Sequence, residues 1–336
     1  MKNNSNNRFH KTSNSPSITF LLFSVLFFFV AATKAQTGFA QQSYQTFKDI
    51  AYKNALTDSA VNLDIFLPDS NFGKRNPAVI IIHGGGWAKG DKTLETPYYM
   101  RRLKHELLSN SFAVISINYR LVSKNVHFPK PIEDCKDAVR WVRANANKYN
   151  IDTLNIGLWG GSAGGHLALL TAYTPNELFS GDKTLAPYSS KVNYVVDNFG
   201  PTDLNALFRM NMGGFSTFIV KLFFHKIYEI REKLVFAMTG YSVKTDKEKA
   251  EEVNSLYNPI HYINKDAVPT IIFHGTRDKV VPISQSTELK EKLDYYSIPN
   301  ELITVKKGDH GFNNISTEEI NKLVGKSISF IKEHLK

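Results

Sequence analysis

The chain has 336 residues, 42% of them hydrophobic and 21% charged, with one cysteine and a formal net charge of +10. That length and apolar content suffice for a sizeable core and exclude a disordered or disulfide-stapled chain. The charges are dispersed, which reads as a solvated surface and gives no footprint for nucleic acid.

Lys2, Arg8 and Lys11 precede an apolar run from Ile18 to Ala32, and the small residues Thr33 and Ala35 stand just before Gln36. The run falls short of the roughly twenty apolar residues of a spanning helix. Residues 1–35 therefore read as a secretory signal peptide cut after Ala35, with an uncleaved anchor as the alternative. The expected destination is secreted or periplasmic, with no stable membrane insertion after cleavage. Removing this segment takes away Lys2, Arg8, Lys11 and Lys34 and lowers the formal charge from +10 to +6.

Residues 36–336 read as one domain without internal repeats. Gln36 to Phe47 is a polar leader, and residues 62–68 alternate as an early antiparallel strand does. Pro77 to Ile82 and Phe112 to Asn118 are continuous β-branched runs, the pattern of strands buried on both faces, with a helix from Thr96 to Ser109 between them. A helix around Asp134 to Ala146 leads to the strand Asn155 to Trp159. On that helix Cys135 shares an apolar stripe with Ala138, Val139 and Val142 and reads as a buried small hydrophobe. Strands at 192–196, 270–273 and 301–305 follow, and a last helix spaces Ile320, Leu323, Val324, Ile328 and Ile331 along one face. Strands alternating with helices predict a doubly wound, mostly parallel sheet. Between residues 203 and 259 the pattern changes: Phe208, Met210, Phe215, Phe218 and Leu222 are crowded together ahead of a charged stretch, 244–252. This predicts a small helical cap insertion, serving either as an ordinary packed helix pair or as the wall of an acyl or aromatic pocket.

Two glycine-rich segments carry the chemistry. His83-Gly84-Gly85-Gly86-Trp87 follows one buried strand, and Gly160-Gly161-Ser162-Ala163-Gly164 follows another. The second fits G-x-S-x-G, a strand-to-helix turn that lifts a serine hydroxyl above a sheet; the first fits a loop that offers backbone N–H groups to an oxyanion. A phosphate-binding reading fails, because the frame from Gly85 to Gly90 continues with Asp91 instead of Gly-Lys-Ser/Thr. A serine nucleophile needs a base and an orienting acid, in the chain order serine, acid, histidine. His310, in Gly308-Asp309-His310-Gly311-Phe312, follows the strand 301–305 at a carboxyl end, where open α/β sheets place their sites. His166 reads as a packing residue and His274 as a partly buried structural histidine. Asp278 follows the strand 270–273 and is the expected acid; Asp309 is the rival beside His310, and Asp197 and Asp203 lie one strand earlier. No His/Asp/Glu cluster has metal-ligand spacing, so neither metal nor cofactor is expected.

Together HGGGW, GGSAGGH, DNFGPTDL (197–204), HGTRDKVVPISQS (274–286) and GDHGF resemble the α/β-hydrolase superfamily. More narrowly, they resemble its secreted carbohydrate-esterase branch of acetylxylan and feruloyl esterases. The likeness runs from about Asp64 to Phe312. It implies an α/β-hydrolase fold and hydrolysis of short acyl esters on carbohydrate through an acyl-serine. Ser162, Asp278 and His310 would form the triad, and the N–H groups of Gly85, Gly86 and Ala163 the oxyanion hole, while Trp87 is expected to wall the substrate pocket, with a packing anchor as the alternative. The alternatives are an amide hydrolase with the same triad, a lipase-like esterase and a non-catalytic binding module. The expected partner is a small-molecule or glycan ester, and the oligomeric state is left open.

Overall fold

In the computed structural model, the described residues are 43–53, 61–69, 74–210 and 225–336, with the side chains of 225–227 outside the description. The expected signal peptide and the crowded apolar residues 211–224 lie outside them. The strands are β1 (Tyr44–Ala51), β2 (Asn62–Pro68), β3 (Asn76–Ile82), β4 (Ala113–Ile117), β5 (Ile151–Gly161), β6 (Val195–Asn198), β7 (Thr270–Gly275) and β8 (Asn300–Val305). They form a sheet in the order β1-β2-β4-β3-β5-β6-β7-β8. The β1–β2 and β2–β4 pairs are antiparallel, and all pairs from β4 to β8 are parallel.

The continuous apolar runs have a simple cause. Successive side chains of a strand point to opposite faces, and here both faces are covered. Ile80 and Ile82 of β3 belong to one buried cluster, with Leu158, Leu167 and Ile272. Val79 and Ile81 belong to the other, with Leu103, Val114 and Phe273. The helices divide accordingly. Helices α2 (Lys130–Ala144) and α3 (Ala163–Tyr173) send Val139, Val142, Leu167 and Leu170 into the first cluster. Helix α1 (Tyr98–Ser109) and a C-terminal helix, Thr317–Glu333, send Leu103, Leu107, Leu323 and Val324 into the second. That C-terminal helix opens on a capping box, in which the Ser316 hydroxyl accepts from the Glu319 N–H and the Glu319 carboxylate accepts from the Ser316 N–H.

Two expectations need correction. The polar leader does not extend to Phe47: β1 begins at Tyr44, and all but one of its residues are exposed. An edge strand with neither face buried carries no hydrophobic alternation, so the pattern that marks the other strands is missing. The sixth strand is displaced from 192–196 to Val195–Asn198, because the apolar residues at 192 and 194 precede the ladder with β7. Within 203–259 the described helices are α4 (Leu204–Leu207), α5 (His225–Thr239) and α6 (Lys247–Ser255). Helix α6 takes up the charged stretch and buries only Ala250 and Asn254. Two more α-helices are α7 (Ser284–Tyr295) and the C-terminal α8 (Thr317–Glu333), and short 3-10 turns stand at Lys183–Leu185 and Pro259–His261.

Candidate active site

Ser162 stands between β5 and α3 with φ 56° and ψ −124°, a conformation that a side-chain-bearing residue holds only when its surroundings enforce it. The enforcement is visible. The Ser162 N–H donates to the Asn198 carbonyl at 2.8 Å, and the Ser162 carbonyl accepts from the His166 N–H at 3.1 Å. Asn198 is itself held by the Tyr99 hydroxyl, which donates to its Oδ1 at 2.8 Å. The flanking glycines are required by space: a Cβ on Gly160 would overlap the Gly164 carbonyl, and one on Gly164 would overlap the Ile82 carbonyl.

The loops after β7 and β8 bring Asp278 and His310 to this turn. His310 Nε2 lies 2.9 Å from Ser162 Oγ, and His310 Nδ1 lies 2.7 Å from Asp278 Oδ2. The Asp278 side chain is fully buried, while that of His310 is 22% exposed. Asp278 Oδ1 accepts from the Val280 and Val281 N–H groups at 2.8 and 2.9 Å, so the carboxylate is fixed at both oxygens. Burial alone would raise its pKa. Hydrogen bonds from His274 and His310, the Val281 N–H and the charge of His310 outweigh that effect and hold Asp278 far below the usual carboxylate range. The Phe199 ring packs against the His310 ring at 4.6 Å.

The rival carboxylates are occupied elsewhere. Asp309 accepts from the Asn313 N–H at 2.8 Å and so holds its own turn. Asp203 accepts from the Ala206 N–H at 3.0 Å as the cap of α4. Asp197 is fully buried, accepts from the Gly200 N–H at 3.1 Å through Oδ1, and has no hydrogen-bond partner for Oδ2 among the described residues. Burial pushes it up to about 7.

The HGGGW loop runs beside the serine. Gly85, Gly86 and Trp87 have φ values of 115°, 59° and 60°, and the Gly85 carbonyl accepts from the Lys89 N–H at 3.1 Å to close the turn. A Cβ on Gly84 would come within 2.8 Å of the Gly161 carbonyl, so loop and serine turn approach backbone to backbone. Among the described residues no hydrogen bond is made by the N–H groups of Gly85, Gly86 or Ala163 to a protein acceptor. Ala163 opens α3, where unpaired N–H groups and the helix dipole favour negative charge.

Trp87 takes the packing position of its two readings. Its side chain is packed, 3% exposed, against Phe128, His166 and Phe208. These ring contacts anchor the loop. His274, read as structural, is more closely involved than its sequence suggested. Its Nε2–H donates to the Val281 carbonyl at 2.9 Å and lies 3.5 Å from Asp278 Oδ2, and its Nδ1 accepts from the Ser286 hydroxyl at 2.7 Å. The available signal was its place four residues ahead of Asp278 on the same strand-to-loop segment. Among the described residues no group of three or more His, Cys, Asp or Glu side chains could hold a metal ion, and no helix is long and apolar enough to cross a membrane.

The BD-FAE family profile matches residues 63–293. Over 236 residues the chain is 28% identical to Esterase LipC of Mycobacterium tuberculosis, covering 70% of this chain and 53% of LipC. It spans about half the length of the curated relatives it matches. Among solved structures, a truncated carbohydrate esterase from gut microbiota superposes with a TM-score of 0.69 at 28% identity, over 88% of this chain and 99% of that one. A bifunctional GH43-CE protein of Bacteroides eggerthii gives 0.67 at 31%, over 87% of this chain and 38% of that one.

Proposed function

The chain belongs to the BD-FAE family of α/β hydrolases, and on that premise we propose that it is a serine esterase acting on short acyl esters of carbohydrates. The observation that carries the reading is the unbroken chain from Asp278 through His310 to Ser162, set beside backbone N–H groups with no protein acceptor. His310 Nε2 takes the proton of Ser162 as Oγ attacks the ester carbonyl. Asp278 keeps the proton on Nδ1 and stabilises the imidazolium that forms. The oxygen of the tetrahedral intermediate is received by the N–H groups of Ala163, Gly85 and Gly86. Each such donor contributes on the order of 10² to 10³ in rate, because it is already oriented when the charge develops. The intermediate collapses as His310 returns its proton to the leaving alcohol. Water then enters, gives its proton to His310, and releases the acid from Ser162 by the same steps reversed.

The substrate class is supported by the carbohydrate esterases among the structural neighbours, and export by the segment 1–35 would bring the enzyme to polymeric glycans. Cleavage before Gln36 is checked by the N-terminal mass of the protein recovered from the producing cell. The activity is tested on purified protein with p-nitrophenyl esters from acetate to octanoate, acetylated xylan and methyl ferulate. Acetate should give the highest kcat/KM, and acetylated xylan should release acetate. Ser162→Ala should lose 10⁴- to 10⁶-fold in kcat, roughly the cost of disabling a triad. Efficiency rising steadily to octanoate, at a gain of about 0.8 kcal/mol per buried CH₂, would favour a lipase-like esterase instead.

A further inference from the structure

His166 stands one turn beyond Ser162 on α3 and is fully buried. Its ring stacks on Phe128 at 5.8 Å and 12°, and Trp87 meets it edge-on at 5.2 Å and 83°. Both ring nitrogens are engaged. Nε2 lies 2.7 Å from the Tyr257 carbonyl, and the Trp87 indole nitrogen lies 3.1 Å from Nδ1. A carbonyl only accepts, so Nε2 carries the hydrogen; an indole N–H only donates, so Nδ1 presents its lone pair. The surroundings therefore fix the neutral Nε2–H tautomer. Burial pushes the imidazole pKa down to about 4, which preserves that lone pair at neutral pH.

The partners of this histidine belong to three different parts of the site. Trp87 ends the HGGGW loop, in a stretch of three consecutive positive φ values that depends on outside contacts to persist. Its carbonyl accepts from the Val122 N–H at 2.9 Å, and its side chain is tied to α3 only through His166 Nδ1 among the hydrogen bonds of the described residues. Ala163, three residues before His166, begins the same helix. Tyr257 closes the segment that follows α6.

We infer that His166 is a positioning residue: by accepting from Trp87 and donating to Tyr257 it holds the glycine loop, the serine-bearing helix and the end of the 203–259 segment in one register. The inference rests on the reading of Gly85, Gly86 and Ala163 as the donors to the oxyanion. Two of those donors lie on the loop and one on the helix, and among the side-chain hydrogen bonds of the described residues the one from Trp87 to His166 ties the two halves together. Loosening it leaves ester binding in place and weakens stabilisation of the tetrahedral oxygen, which needs donors at about 2.7–3.1 Å.

The test uses the full chain, with active sites counted by stoichiometric labelling with paraoxon so that misfolded protein is excluded. In His166→Leu and Trp87→Phe, kcat per labelled site should fall roughly 10- to 100-fold, the scale of a small misplacement of catalytic groups, with KM within about twofold. The double variant should be no slower than the slower single, since both substitutions break one bond. His166→Gln, whose amide both accepts and donates, should recover most of the loss. The Ki of an alkyl boronic acid should rise in step with the fall in kcat/KM. Unchanged kcat per site with a lower Tm, or losses that multiply in the double variant, would overturn the inference. Should His166→Leu fail to fold, Trp87→Phe and His166→Gln carry the same test. Wild-type protein that takes up no paraoxon would instead contradict the esterase reading itself.

Discussion

The loops at the carboxyl ends of β5, β7 and β8 and the 203–259 segment beside them are built on different terms. In the loops each polar atom that matters has a directed partner: both oxygens of Asp278, both ring nitrogens of His310 and the backbone of Ser162 are engaged. In the segment, α5 leaves Ile230 64% and Phe236 39% exposed, and its described ionic contact is Arg231 with its neighbour Glu232. Chemistry demands particular atoms at particular distances, so the loops tolerate little. Packing demands only apolar volume, which many sequences supply. Substitutions on the two sides should therefore fail in different ways.

The largest contrast is within the loops. Asp278→Asn should lower kcat by about 10⁴, because the amide favours the wrong tautomer of the base. Asp309→Asn keeps an oxygen for its turn contact and should cost less than about tenfold, the two being compared by steady-state kinetics on p-nitrophenyl acetate. The reverse ranking would move the acid to Asp309. In the segment, Phe208, which is buried and packs 6.4 Å from the Trp87 ring, offers the matching experiment. Phe208→Ala should cost roughly 3–5 kcal/mol of stability by cavity formation while changing kcat on acetate less than tenfold. A loss as large as that of Asp278→Asn would erase the distinction between the two regions.

Asp197 gives a smaller effect with a defined sign. Its folded pKa, about 7, lies above the ordinary carboxylate value of 3.8 because of burial. Between those values the folded state keeps a proton that the unfolded state has lost, so the group's contribution to stability falls as pH rises from about 4 to 7 and is level above that. Asp197→Asn should raise Tm by a few degrees at pH 8 and leave it nearly unchanged near pH 4. A gain that is equal at both pH values would show that the carboxyl is ionised in the fold. The mildest change lies far from the site: a Cβ on Gly325 of α8 meets nothing within 4 Å, so Gly325→Ala should stabilise by about 0.5–1 kcal/mol with unaltered kinetics.

Much of this organisation was legible in the residues, for identifiable reasons. Buried parallel strands need apolar side chains on both faces, so β3, β4 and β7 appear as unbroken runs. Strand β1, exposed at the edge, has no such signature. Ser162, Asp278 and His310 were named because their motifs encode backbone geometry, and the structure brings the three into one hydrogen-bonded chain. Trp87 was left between pocket wall and packing anchor because an indole beside a glycine loop can face either way; its burial against Phe128 and His166 depends on residues far along the chain. His166 was undervalued for the same reason, since Trp87 and Tyr257 reach it from distant parts of the chain. For His274 the partners Val281 and Ser286 stand within the segment 274–286, and only the fold of the loop after β7 turns them back onto its ring.

The central claim is that Ser162 carries the acyl group. Reaction of the purified protein with p-nitrophenyl acetate, quenched in acid within milliseconds and followed by peptide mass analysis, reads this directly. The account predicts a burst of one p-nitrophenol per site and an acetyl group on the peptide bearing Ser162, with both absent in Ser162→Ala. Turnover persisting in that variant, or acetyl found on another residue with Ser162 unmodified, would contradict it.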